Sequence, residues 1–116
     1  MADIKIYHNP NCSKSRATLA LLEENDVSPE IVYYLETPPS RDELKSLLTK
    51  LGLGIRDLVR SNEAEFGELG LDNESLSEEI IFDYVTEHPN LMQRPIVVKG
   101  ERAIIGRPPE NVLDLI

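Results

Sequence analysis

The sequence is poor in several residue types at once. In 116 residues it has one cysteine, no tryptophan, two phenylalanines and two histidines. One thiol cannot close an intramolecular disulfide or build a multi-cysteine zinc site. The histidines, His8 and His88, lie far apart and outside any metal-ligand spacing. Basic residues are also scarce: 12 Lys and Arg against 21 Asp and Glu leave a net charge of −9. Nucleic acid needs a basic face to meet its phosphates, so it is excluded as a partner, and an anionic membrane surface is excluded on the same ground. No apolar run approaches the ~20 residues of a membrane-spanning helix. The opening residues Met1-Ala2-Asp3-Ile4-Lys5 lack the charged-then-apolar pattern of an export signal. With a lone thiol, that leads to the expectation of a reducing, cytoplasmic setting. Apolar residues make up 41% of the chain, enough for the core of one domain that folds without staples.

The pattern along the chain predicts a strand over 3–7, where Ile4 and Ile6 alternate with Asp3 and Lys5, ended by Asn9-Pro10-Asn11. A helix follows over 14–25, with Ala17, Leu19, Ala20, Leu21 and Leu22 at helical spacing. Ile31-Val32-Tyr33-Tyr34 is a continuous β-former run, the pattern of a strand buried on both faces. A β-α-β unit predicts two parallel strands. Ser40 and Glu43 form a capping box for a helix carrying Leu44, Leu47, Leu48 and Leu51, which Gly52 closes. Short helical pieces are expected over 55–59 and 62–68. A further helix is capped by Ser77, presents Ile81, Tyr84, Val85 and His88 on one face, and ends at Pro89. The period then changes. Ile96-Val97-Val98 and Ala103-Ile104-Ile105 form a hairpin with Gly100-Glu101 as its turn, and a terminal helix begins at Pro109. The element order is that of an α/β, thioredoxin- or glutaredoxin-like domain. Its core spans 1–39 and 91–116, and a helical insertion over 40–90 lies between the second and third strands.

Cys12 falls between the first strand and the first helix. The carboxyl end of a strand is where ligands bind in open α/β sheets, and the free N–H groups of a helix's first turn favour thiolate over thiol. His8, four residues earlier, would lower the thiol pKa further as an imidazolium. Ser13 and Ser15 can donate hydrogen bonds to a thiolate or an oxyanion. Most free cysteines are small buried hydrophobes, but the neighbours Asn11, Ser13 and Lys14 are polar and favour a reactive role. No second cysteine follows, so redox work at Cys12 needs an external thiol.

Three arginines stand at element ends: Arg60 after Leu58-Val59, Arg94 before Pro95, and Arg107 before Pro108-Pro109. A guanidinium fork matches a tetrahedral oxyanion and never deprotonates. For any one of them a solvated surface role is the commoner case. Pro95, opening a strand beside the first strand's carboxyl end, is a candidate cis proline.

Tyr7-His8-Asn9-Pro10-Asn11-Cys12, Ser15-Arg16, Tyr34-Leu35-Glu36-Thr37-Pro38-Pro39, Arg41-Asp42-Glu43-Leu44, Glu68-Leu69-Gly70-Leu71, Arg94-Pro95-Ile96-Val97-Val98, Arg107-Pro108 and Val112-Leu113-Asp114 run in register almost end to end. Together they resemble the glutaredoxin-coupled arsenate reductases of the ArsC family. The resemblance implies that Cys12 attacks arsenate to form a thiol–arsenate adduct. His8 and Ser15 would assist the thiolate, and Arg60, Arg94 and Arg107 would bind arsenic oxygens. It implies no bound cofactor. Glutathione is the electron-donating co-substrate and glutaredoxin the transient partner that removes it. Ser13-Lys14, where plasmid-borne members carry Gly-Thr, and the short end after Asp114 make the chain more similar to the short chromosomal members. Two other functions share the cysteine. One is a glutathione-linked thiol-disulfide oxidoreductase, for which no oxyanion is needed. The other is a non-enzymatic regulator like the Spx-type polymerase-binding proteins, which carry a second cysteine where Ser15 stands here.

Overall fold

The computed structural model describes residues 4–60, 64–71, 73–93 and 95–116, with 64 and 65 described by their backbone alone. The chain divides into two compact units. One is formed by the residues up to Thr37 with those after Gln93, the other by Pro38–Gln93.

The first unit is built on a four-stranded sheet of order β2-β1-β3-β4. β1 (Ile4–Tyr7) pairs parallel with β2 (Glu30–Val32) and antiparallel with β3 (Ile96–Lys99), which pairs antiparallel with β4 (Arg102–Ile105). Tyr7, the last residue of β1, is thus flanked by Val32 on one side and Ile96 on the other. Gly100 turns the β3–β4 hairpin at φ +61°, the left-handed value that the first position of a type II′ turn requires. Ile4, Ile6 and Val97 from the sheet pack with Leu22 of α1 (Ser13–Glu24) and with Val112 and Leu115 near the chain end.

One expectation needs correction in this unit, and the structure adds detail to two others. β2 is not buried on both faces. It is a three-residue edge strand with Glu30 exposed and Ile31 and Val32 half-buried. The β-former run continues past it, but Tyr33 accepts hydrogen bonds at its carbonyl from the N–H groups of Glu36 (3.0 Å) and Thr37 (2.9 Å), so the chain turns away. The buried face of α1 is Ser15, Thr18 and Leu22, while Ala17 and Ala20 are exposed. Two hydroxyls can lie inside because each is hydrogen-bonded, which removes the penalty of burying them. The terminal helix expected from Pro109 is present over Pro109–Asp114 as a 3-10 helix, tighter than an α-helix.

The second unit is helical: α2 (Arg41–Leu51), α3 (Ile55–Leu58), α4 (Ala64–Glu68) and α5 (Glu78–Glu87), then a 3-10 turn over Pro89–Leu91. The Ser40 hydroxyl accepts from the Glu43 N–H at 3.2 Å, and Gly52 at φ +71° ends α2. Leu44, Leu47 and Leu48 are buried on α2, and Ile81, Phe82 and Val85 on α5. The α5 face differs from the expected one: Phe82 lies inside, Tyr84 is half-buried, and His88 caps the helix. Arg41 of α2 donates to the carboxylates of Glu79 and Asp83 on α5, tying the two helices together. Residues 61–63, where the expected 62–68 piece begins, lie outside the described residues.

Behind β4, Gly106 admits no side chain. A Cβ there would lie 2.6 Å from Thr18 Oγ1 and 2.9 Å from Pro95 Cγ. The Gly106 N–H donates to the Pro95 carbonyl (2.9 Å), and the Thr18 hydroxyl, which donates to the Lys14 carbonyl at 2.9 Å, also reaches the Gly106 carbonyl at 3.4 Å. Gly106→Ala should therefore destabilise the protein by about 1–3 kcal/mol, the usual cost of overpacking. Urea melts of the two proteins check this; an unchanged midpoint would show that α1 can yield at no cost.

Candidate active site

The site is assembled where β1 ends. The His8 N–H donates to the Val32 carbonyl at 2.8 Å, carrying the edge of the sheet one residue past Tyr7. Asn9, Pro10 and Asn11 then form a tight loop. The Asn9 Oδ1 accepts from the Asn11 N–H (3.0 Å), a side chain mimicking a backbone turn. The Asn9 carbonyl accepts from the Cys12 N–H, also at 3.0 Å. The Cys12 carbonyl in turn accepts the first helical bond, from the Arg16 N–H. Cys12 is thus the N-cap residue of α1, half-buried, with extended backbone.

Ser15, one turn into α1, is fully buried and locks this loop from below. Its hydroxyl oxygen accepts from the Asn9 N–H at 3.0 Å and lies 2.6 Å from His8 Nδ1. Having accepted from Asn9, the hydroxyl has its own proton left to donate to Nδ1. That arrangement suits a neutral imidazole whose proton sits on Nε2. His8 is 4% exposed. Burial first, and the Arg16 guanidinium second, push its pKa below the ordinary histidine value of 6.5. That lowering works against the expected imidazolium beside the thiol: burial favours the neutral ring, which is held by its contact with Ser15.

The positive charge comes from elsewhere. Arg107, which follows β4 and Gly106, brings Nη2 to 3.8 Å from Cys12 Sγ. Asn111 holds that segment, its amide donating to the carbonyls of Arg107 (3.1 Å) and Ile105 (3.3 Å). The N-terminus of α1 is also free of the acidic residues that dominate the chain. Its first turn has none, whereas α2 opens with Asp42 and Glu43, and α5 with Glu78 and Glu79. In a protein of net charge −9, this helix end keeps its positive partial charge uncancelled.

Of the residues singled out in the sequence, His8, Cys12, Ser15 and Arg107 come together in the first unit. Arg60 belongs to the second unit, where it is 8% exposed and its backbone N–H donates to the Leu91 carbonyl at 2.6 Å. Arg94, and with it the Arg94–Pro95 peptide bond, lies outside the described residues. Pro95 is buried beside Gly106. A cis X-Pro bond is present at Arg107–Pro108. The sequence reading missed Asn9 and Asn111 as residues that position the site. Asn9 left a signal, since an Asn immediately ahead of a turn and a helix start is a typical side-chain turn former.

A parallel β-α-β unit, an antiparallel hairpin and a cysteine capping the first helix define a thioredoxin-like domain with a single thiol in the loop that follows β1. The model of the ArsC family matches residues 7–115. An uncharacterized Escherichia coli K12 protein, YfgD, is 53% identical over 114 residues, 97% of this chain and 96% of its own length. An arsenate reductase of Neisseria meningitidis serogroup A is 48% identical over 113 residues, 97% of each chain. The solved structure of an arsenate reductase from Vibrio cholerae superposes with a TM-score of 0.96 at 48% identity, covering 99% of this chain and 98% of that one. The chain belongs to the ArsC family.

The lowered His8 pKa has a consequence for stability. As pH falls, the unfolded chain, with an ordinary histidine, takes up a proton before the folded protein does. The contribution of neutral His8 is present above the ordinary histidine value and is lost as pH falls below it. Between pH 7.5 and pH 5 the wild-type Tm should drop further than that of His8→Asn, which keeps a small uncharged polar group there. Equal drops in the two proteins would contradict a buried neutral histidine.

Proposed function

We propose that this protein is an arsenate reductase that uses glutathione and glutaredoxin as its electron source. The observation that carries the reading is the approach of the Arg107 guanidinium to Cys12 Sγ at the uncancelled N-terminus of α1. A thiolate attacking arsenate meets an anion, so cationic groups must offset the like-charge repulsion and the charge that develops during attack. A guanidinium and a helix N-terminus do so at fixed positions. The net charge of −9 opposes arsenate only at a distance, since fields are screened over about 8 Å at physiological salt. The similarity to arsenate reductases of Neisseria and Vibrio supports the same substrate.

In the proposed cycle the Cys12 thiolate forms a sulfur–arsenic bond and one arsenate oxygen leaves as water. Glutathione then attacks the arsenic and a second oxygen leaves as water. A glutaredoxin thiolate attacks the glutathione sulfur and forms the mixed disulfide, breaking the glutathione–arsenic bond, whose electron pair reduces arsenic(V) to arsenic(III). Water then cleaves the Cys12–arsenic bond and arsenite is released. Summed over the cycle, two thiols become one disulfide, and arsenic(V) gains the two electrons. Cys12 is the nucleophile. Ser15 and neutral His8 hold its loop in place, and Arg107 binds an arsenic oxygen. Arg60 and Arg94 are proposed as further oxygen-binding groups on the strength of the family resemblance. The cytoplasm, where glutathione is abundant, is the proposed location; no helix among the described residues is long and apolar enough to cross a membrane.

Steady-state turnover of arsenate with glutathione and glutaredoxin tests the proposal against a small-disulfide substrate assayed alongside. Cys12→Ser should abolish arsenate reduction while leaving the fold intact, because no second thiol exists to substitute for it. Arg107→Lys keeps the charge and loses the planar fork. It should lower kcat/KM for arsenate at least tenfold, or ~1.4 kcal/mol of transition-state binding, and Arg60→Lys and Arg94→Lys should act in the same direction. A wild-type protein that reduces the disulfide and not arsenate would refute the oxyanion reading.

A further inference from the structure

The proposed reaction needs two reactants at Cys12, and the sheet topology gives the loop that carries it two different flanks. On the β3–β4 side stands Arg107. On the β2 side lies an open cleft of about 420 Å³, lined by His8, Asn9, Pro10, Asn11, Tyr33, Leu35 and Glu36. One wall of the cleft is the Cys12 loop itself, Asn9-Pro10-Asn11. The other wall is the turn that leaves β2, held by the two bonds to the Tyr33 carbonyl.

We infer that this cleft binds the thiol co-substrate, a small zwitterionic thiol peptide of the glutathione class. The inference rests on the proposed reaction for its choice of ligand. The cleft's own chemistry sets it apart from the arginine flank. The Glu36 carboxylate lines the cleft and attracts an ammonium, while the Arg16 guanidinium, donating to the Pro10 carbonyl of the loop wall at 2.8 Å, stands near it as a cation for a carboxylate. With Nδ1 engaged by Ser15, the second ring nitrogen of His8, Nε2, is left to meet a ligand, and the amides of Asn9 and Asn11 add donors suited to a peptide carboxylate or carbonyl. The walls also bear unexplained apolar surface. Tyr33 is 44% and Leu35 41% exposed, two of the five large hydrophobic residues left exposed among the described residues. The Tyr33 ring is braced against His8, edge to face at 6.0 Å. A preformed cleft that sets the apolar faces of Tyr33, Leu35 and Pro10 beside the polar groups of His8, Asn9, Asn11 and Glu36 suits a small ligand carrying both charges.

The probe is S-methylglutathione, which has the peptide's charges and cannot react. It is titrated into the full-length protein and followed by amide chemical shifts. Shifts should centre on residues 8–11 and 33–36, and affinity should fall at least tenfold in Glu36→Lys and in Leu35→Lys. Both substitutions are at exposed positions, and amide spectra of the free proteins confirm that they fold. In turnover assays the same variants should raise KM for glutathione at least tenfold and leave KM for arsenate unchanged. Shifts centred elsewhere, equal affinity in the variants, or parallel changes in both KM values would overturn the assignment. So would variants that change KM for glutaredoxin alone, which would make the cleft a protein-docking surface. If the wild type binds the probe as described and turns over no arsenate, the proposed reaction fails and the cleft assignment stands.

Discussion

The Ser15 hydroxyl is the point on which the site depends. It accepts from the Asn9 N–H and meets His8 Nδ1, and in doing so joins the end of β1 to the first turn of α1. With that joint made, the Asn9 carbonyl is placed to receive the Cys12 N–H, and Cys12 falls at the N-cap. A buried hydroxyl with its bonding capacity used on both sides is stiff, because every alternative arrangement leaves a polar group unsatisfied in the interior. The cysteine can then remain half-exposed at a loop end without losing its place.

The same joint sets the division of charge. A neutral His8 is compatible with burial and with a donated bond from Ser15; an imidazolium is not favoured there, with Arg16 nearby. Among the described residues Arg107, which no desolvation can deprotonate, and the backbone N–H groups of α1 bring positive charge to the sulfur. This allocation is economical in a protein with few basic residues. Arg107 lies close to the sulfur, and acidic residues stand instead at the N-termini of α2 and α5, where Asp42, Glu43, Glu78 and Glu79 stabilise those helices through their dipoles.

The two sides of β1 differ in kind. Toward β3 and β4 the close packing of Gly106 against Thr18 and Pro95, with Asn111 bonding the Arg107 carbonyl, holds the guanidinium-bearing segment in place. Toward β2 the strand is short and at the sheet edge, and the chain turns off at Tyr33 to leave a cleft. An edge strand that stops early leaves room beside the active loop; a central strand could not.

Local features were legible in the sequence because their causes are local. Ser40 and Gly52 bracket α2, Ser77 caps α5, and Gly100 turns the hairpin, since a cap or a positive φ is a property of one residue and its near neighbours. The position of Cys12 between strand and helix was legible for the same reason. What stayed hidden depended on partners distant in sequence. Hydrophobic spacing placed α1 but not its buried face, because Ser15 is held inside by bonds to residues 8 and 9, and Thr18 by bonds to the Lys14 and Gly106 carbonyls. β-propensity could not tell an edge strand from a central one, because that follows from the order of strands in the sheet. The charge of His8 could not be read from its type, since a histidine's pKa is set by burial and neighbouring charge. The residues' chemical identities were sequence information; which of them met, and in what protonation state, was decided by the tertiary structure, because desolvation and hydrogen bonding act between groups that only folding brings together.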